Sequence, residues 1–139
     1  MPNTSKTAAV LSVSSDPAHH ADLERVLDPQ WRLQICAGFA GVMDALRSGQ
    51  LPLVIYDCDS LRGSWRSVLP KVAFRTNAPA MIMTSRLADA SLWAEALNLG
   101  AWDVLAKPFD AAEVSRVLAS ALDHVNRLFP THHQTAAVA

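Results

Sequence analysis

The chain has 139 residues, half of them apolar and 18% charged, which suits one folded domain with a sizeable core and excludes a disordered chain. Twelve Lys and Arg against thirteen Asp and Glu leave a net charge of -1, with the basic residues scattered, so direct nucleic-acid binding is not expected. No run reaches the roughly 18 apolar residues of a membrane span, and the start of the chain carries too short an apolar stretch for a secretory signal, which points to the cytoplasm.

Residues 1–7 read as a polar leader. Ala8–Val13 is a small, partly β-branched apolar run and reads as the first strand. Ser15 or Asp16 can cap a helix with Pro17 at its first position, and Leu23, Val26 and Leu27 give that helix a buried stripe. Trp31–Cys36 alternates strictly, with Trp31, Leu33 and Ile35 on one side, as a strand at a sheet edge does. Phe39, Val42, Met43 and Leu46 then hold helical spacing until Gly49 stops the helix.

Leu53, Val54, Ile55 and Tyr56 form an unbroken β-favouring run between Pro52 and the polar Asp57-Cys58-Asp59-Ser60 cluster, the pattern of a strand buried on both faces. Residues 63–75 read as a weaker helix, in which Pro70 predicts a kink or a late start. Residues 80–83 form another buried strand ending at Thr84 and Ser85. Leu92, Trp93, Ala96, Leu97 and Leu99 mark a helix stopped by Gly100, and residues 102–106 a short fifth strand followed by Lys107 and Pro108. Asp110 with Glu113 makes a capping box for a last helix carrying Val114, Val117, Leu118, Ala121, Leu122 and Val125, and residues 129–139 read as a flexible tail. Five strands alternating with five helices imply right-handed βαβ units and a parallel sheet covered on both faces.

Open sheets of this kind place their chemistry at the carboxyl ends of the strands. Asp57, Thr84 and Lys107 stand at three such ends. An accepting oxygen, a hydroxyl and a cation are what a reacting phosphoryl group needs. Cys36 and Cys58 lie far apart without metal-type spacing and read as reduced, packed thiols. His19, His20, His124, His132 and His133 show no zinc spacing and read as surface residues.

Over residues 8–128 the chain resembles the receiver domains of two-component response regulators. The resemblance rests on Val54-Ile55-Tyr56-Asp57, on Met81-Ile82-Met83-Thr84-Ser85, on the stretch from Gly100-Ala101 to Lys107-Pro108-Phe109, and on the last capped helix. It implies a flavodoxin-like, doubly wound sheet of order 2-1-3-4-5 with five helices. It also implies a bacterial phosphorelay signalling module, not an enzyme, with a sensor histidine kinase or another signalling protein as partner. Asp57 is then the phosphoacceptor, Thr84 the hydroxyl that follows the phosphoryl group and Lys107 its counter-ion, with a cis Lys107–Pro108 peptide.

Receivers hold magnesium with two adjacent acidic residues after the first strand, where this chain has Ser14 and Ser15, and Asp16 comes one position late. Hydroxyls replace carboxylates poorly around magnesium, and at ~4 Å and an effective dielectric of ~20 each absent carboxylate forfeits up to about 4 kcal/mol of attraction. Weakened or absent magnesium-dependent phosphorylation is therefore expected, with Asp57 and Asp59 as the metal ligands if one is retained. Val104 stands where many receivers carry a switching aromatic, and Leu61 and Trp65 replace the usual Pro and Gly after the acceptor.

Each residue also has a plainer reading: Asp57 as a strand-end ion pair with Lys107, Thr84 as a strand-end Thr, Asp59 as a solvated loop residue and Asp16 as a cap. Trp102 can anchor a homodimer interface or pack under its own loop. Two other functions compete with the divergent receiver. One is an active phosphoacceptor, with Asp59 or Asp16 helping the metal. The other is a phosphohydrolase, because Asp57-x-Asp59 with a later Thr-Ser and Lys resembles haloacid dehalogenase motifs. Those enzymes carry the Asp pair on the first strand and need a further acidic pair after the Lys, whereas here two strands come first and only Asp110 follows.

Overall fold

The computed structural model describes residues 8–60 and 64–128. The expected leader, the expected tail with His132 and His133, and Leu61 lie outside the described residues. Five strands alternate with five helices: β1 Ala8–Val13, α1 Pro17–Val26, β2 Trp31–Cys36, α2 Phe39–Leu46, β3 Leu53–Asp57, α3 Trp65–Ala73, β4 Ala80–Ser85, α4 Ala90–Asn98, β5 Asp103–Ala106 and α5 Ala111–Leu128. All strand pairs are parallel and the order is β2-β1-β3-β4-β5. This is the flavodoxin-like, doubly wound arrangement.

Alternation along each strand divides the core in two. Leu11, Val13, Val54, Tyr56, Met81 and Met83 pack against Val42 of α2, Trp65, Val68, Leu69 and Val72 of α3, and Ala96 of α4. On the opposite face Val10, Leu53, Ile55, Ile82 and Leu105 pack against Leu23 of α1 and the Val114, Val117, Leu118, Ala121 and Val125 stripe of α5. All five residues of β3 are buried, as their continuous apolar run requires in mid-sheet. β2 is an edge strand, and Ile35, expected on the same side as Trp31 and Leu33, is 60% exposed.

Capping follows the sequence signals. The Asp16 side chain accepts from the Ala18 amide with Pro17 at the first helical position, and Asp110 accepts from the Glu113 amide at 2.9 Å. α3 starts at Trp65, later than the predicted onset, and carries Pro70 in its second turn, where the ring removes one donor from the helical ladder. Trp93 is not part of a buried stripe: it is 47% exposed, and its indole N–H points to Asp103 at 3.4 Å.

Gly100 closes α4 with φ of 112°, and a Cβ there would come within 2.6 Å of the Ala73 Cβ at the end of α3. Both the backbone conformation and the close approach demand glycine. Gly100→Ala is expected to lower stability by about 2 kcal/mol, read from chemical unfolding. An unchanged midpoint would contradict the close packing of α4 on α3.

Candidate functional site

Four strand ends converge on one rim. β3 ends on Asp57, which lies opposite Thr84 of β4, while Ser14 follows β1 and Lys107 follows β5. The Asp57 side chain is 1% exposed. Its Oδ1 accepts from Lys107 Nζ at 2.7 Å and from the Asp59 amide at 2.9 Å, and its Oδ2 accepts from the Ser14 hydroxyl at 2.7 Å. Burial alone would raise the Asp57 pKa. The ammonium, the hydroxyl and the amide outweigh burial and bring it from 3.8 down to about 2. Asp57 is thus an ionised carboxylate at neutral pH, gripped at both oxygens.

Thr84 is fully buried and its hydroxyl donates to the Tyr56 carbonyl at 3.2 Å. The three predicted residues therefore share the rim, with Asp57 and Lys107 in direct contact and the Thr84 hydroxyl bonded to the β3 backbone. The Lys107–Pro108 peptide is cis, as the resemblance implied. Val104 is buried on β5.

Asp59 is not a loose solvated residue. Its Oδ1 accepts from the Ser85 hydroxyl at 2.8 Å and its Oδ2 from the Arg86 amide at 2.9 Å, while Lys107 Nζ lies 3.4 Å from Oδ2. The Ser85 hydroxyl accepts in turn from the Leu87 amide at 2.9 Å. Asp59 thereby holds the turn after β4, and Leu87 stands outward at its tip, 76% exposed. Among the described residues no group of three or more His, Cys, Asp or Glu side chains is arranged to hold a metal ion.

The histidines depart most from the surface expectation. His19 on α1 is 3% exposed, and its Nδ1 lies 3.7 Å from Asp57 Oδ2. Its ring sits edge-on to Phe109 and to His20, each at 5.6 Å between centroids, and neither ring nitrogen has a hydrogen-bond partner among the described residues. Burial pushes its pKa from 6.5 down to about 4, against the pull of Asp57, so the ring is neutral at pH 7. His20 donates from Nε2 to the Ser14 carbonyl at 3.0 Å, and its Nδ1 accepts from the Ser12 hydroxyl at 2.8 Å. His124 stacks on Trp102 with centroids 4.4 Å apart, so that the Trp102 ring is engaged within its own chain.

A cavity of about 450 Å³ opens beside this rim, lined by Asp16, His19, Arg86, Lys107 and Phe109 among others. Cys58 follows Asp57 in sequence, but burial first, and then the charges of Asp59 and Asp57, push its thiol up to about 12, which denies it thiolate character. Cys36 and Cys58 are both free thiols, as expected.

No protein-family model and no curated protein matches the sequence. Solved structures do resemble it in fold. The signal receiver domain of an HD domain-containing protein from Pseudomonas fluorescens is 22% identical, with 91% of this chain and 95% of that chain covered and a TM-score of 0.77. A response regulator from Thermotoga maritima is 15% identical, covering 84% and 98%, with a TM-score of 0.75. A chemotaxis response regulator of Vibrio cholerae is 16% identical, covering 82% and 98%, with a TM-score of 0.70. At these identities the likeness establishes the shared fold, and the chemistry has to be read from the rim itself.

Proposed function

We propose that the chain is a receiver-like, non-enzymatic module of two-component phosphorelay signalling that has diverged from the magnesium-dependent route and acts through contacts with other proteins. One observation carries this reading: the Ser14 hydroxyl occupies Asp57 Oδ2 at 2.7 Å, on the side where receivers present carboxylates to a cation. Magnesium demands hard oxygen donors in near-octahedral array and surrenders its water reluctantly. Here Asp57 Oδ1 serves Lys107, Oδ2 serves Ser14, and both Asp59 oxygens serve the turn after β4. The donor set does not fit the ion.

In place of a cation, Lys107 neutralises Asp57 and holds a resting-like geometry, while Leu87 and Trp93 remain exposed beside the fixed turn for a signalling protein to meet. The proposed partner is a sensor histidine kinase or another signalling protein. A homodimer through the face around Trp102 has less support, because that ring is stacked on His124. The hydrolase reading loses support too, since it needs a free second carboxylate and Asp59 is engaged at both oxygens. Activity on a generic aryl phosphate would revive it.

Magnesium with beryllofluoride, a phosphoryl mimic, is expected to leave the amide spectrum of the protein essentially unchanged. Saturable shifts around Thr84 and Lys107 at millimolar magnesium would establish the second reading, an active phosphoacceptor at Asp57. That reading is favoured by the cavity beside Lys107 and His19, which gives a phosphodonor a way in.

A further inference from the structure

Ser60, in the turn after β3, joins the β1–α1 loop to the acceptor strand. Its Oγ lies 3.1 Å from Ser14 Oγ and accepts from the Ser15 amide at 3.2 Å, and its carbonyl accepts from the Ser15 hydroxyl at 3.1 Å. The direction of the chain of bonds is forced. An ionised carboxylate only accepts, so the single Ser14 hydroxyl proton goes to Asp57 Oδ2. Ser14 Oγ must then accept from Ser60, as it also accepts from the Asp16 amide at 2.9 Å. The sequence of donors is Ser15 N–H to Ser60 O–H to Ser14 O–H to the Asp57 carboxylate. Each bond polarises the next, and the last is charge-assisted.

We propose that Ser14, Ser15 and Ser60 form a bridge that replaces a divalent cation as the tie between the β1–α1 and β3–α3 loops, and that Ser60 is the positioning residue that aims Ser14 at Asp57. This inference rests on the divergent-receiver reading and deepens it: the rim is fixed without an ion rather than merely deprived of one. A cation ties loops by drawing several anionic oxygens to one point. Three hydroxyls and one amide perform the same tie here with a single anion at the end of the line. The bridge fixes one geometry of the rim whatever the magnesium concentration, so the surface presented to a partner does not vary with it.

The full chain is compared in millimolar magnesium and in EDTA, and as Ser60→Ala and Ser60→Thr. The wild type is expected to show one unfolding midpoint and one amide spectrum in both solutions. Ser60→Ala should shift the Asp57 carboxyl-carbon and Lys107 ammonium resonances and lower the midpoint by about 3 °C, and Ser60→Thr, which keeps the hydroxyl, should restore both. A wild-type midpoint that rises saturably with magnesium would overturn the bridge. So would Asp57 and Lys107 resonances left unmoved in Ser60→Ala, an outcome that leaves the beryllofluoride result untouched. Conversely, beryllofluoride shifts in the wild type would overturn the parent reading whatever Ser60 does.

Discussion

Lys107→Met is expected to destabilise the protein by about 3 kcal/mol, because it strips the counter-charge from a carboxylate that remains buried. Asp57 is 1% exposed and Lys107 17%, and the ammonium also stands 3.4 Å from Asp59, so both acids lose their shared cation at once. Most of the loss is the cost of an unpaired buried charge rather than the net worth of the pair. It should therefore shrink in an Asp57→Asn background, where the double variant is predicted to be more stable than Lys107→Met alone. Urea unfolding with an unchanged m-value is the measurement. A Lys107→Met protein within about 1 kcal/mol of wild type would mean that water, not the lysine, compensates Asp57.

The second large effect is acid sensitivity set by His19. Its folded pKa of about 4 lies below the 6.5 of the unfolded chain. Between those values the unfolded chain binds the proton and the folded chain refuses it, so stability is complete above pH 6.5 and falls as the pH drops towards 4. The full span of that linkage amounts to about 3 kcal/mol. Four groups on the elements around it bear on the ring: Asp57 and Asp16 favour its protonation, Lys107 and His20 oppose it, and burial outweighs them all. His19→Leu should lose this component, leaving a flatter stability profile between pH 6.5 and 4 than wild type. Parallel profiles for the two proteins would remove His19 as the cause.

Much of this architecture is legible in the amino-acid sequence. The unbroken run at Leu53 to Tyr56 announced a mid-sheet strand, Asp16-Pro17 and Asp110 with Glu113 announced helix starts, and Gly49 and Gly100 take the left-handed conformations of helix ends. These signals are local, and local chemistry decides them. The catalytic-looking trio could be placed on one rim because strand ends in a parallel sheet must meet there.

The rest depended on distance. Ser60 reaches Ser14 and Ser15 across some forty-five positions of sequence, and nothing in a loop serine predicts that. Asp59 looked like a loop acid because its partners, Ser85 and Arg86, belong to another strand end. His19 was different, because a signal existed. His19, Leu23 and Val26 fall at i, i+4 and i+7, so the histidine continues the buried stripe of α1. The polar character of a His-His pair concealed it. Trp93 failed in the opposite sense, since its helical spacing suited the stripe while its ring lies outside it.

β2, the outermost strand on its side of the sheet, carries exposed Arg32, Gln34 and Ile35 beside buried Trp31 and half-buried Leu33 and Cys36. The outer backbone of such a strand is a template on which a stranger's strand can add, and a cationic side chain is a standard deterrent. Arg32 places such a charge, solvent-exposed, on the strand whose outer backbone has no neighbour in the sheet.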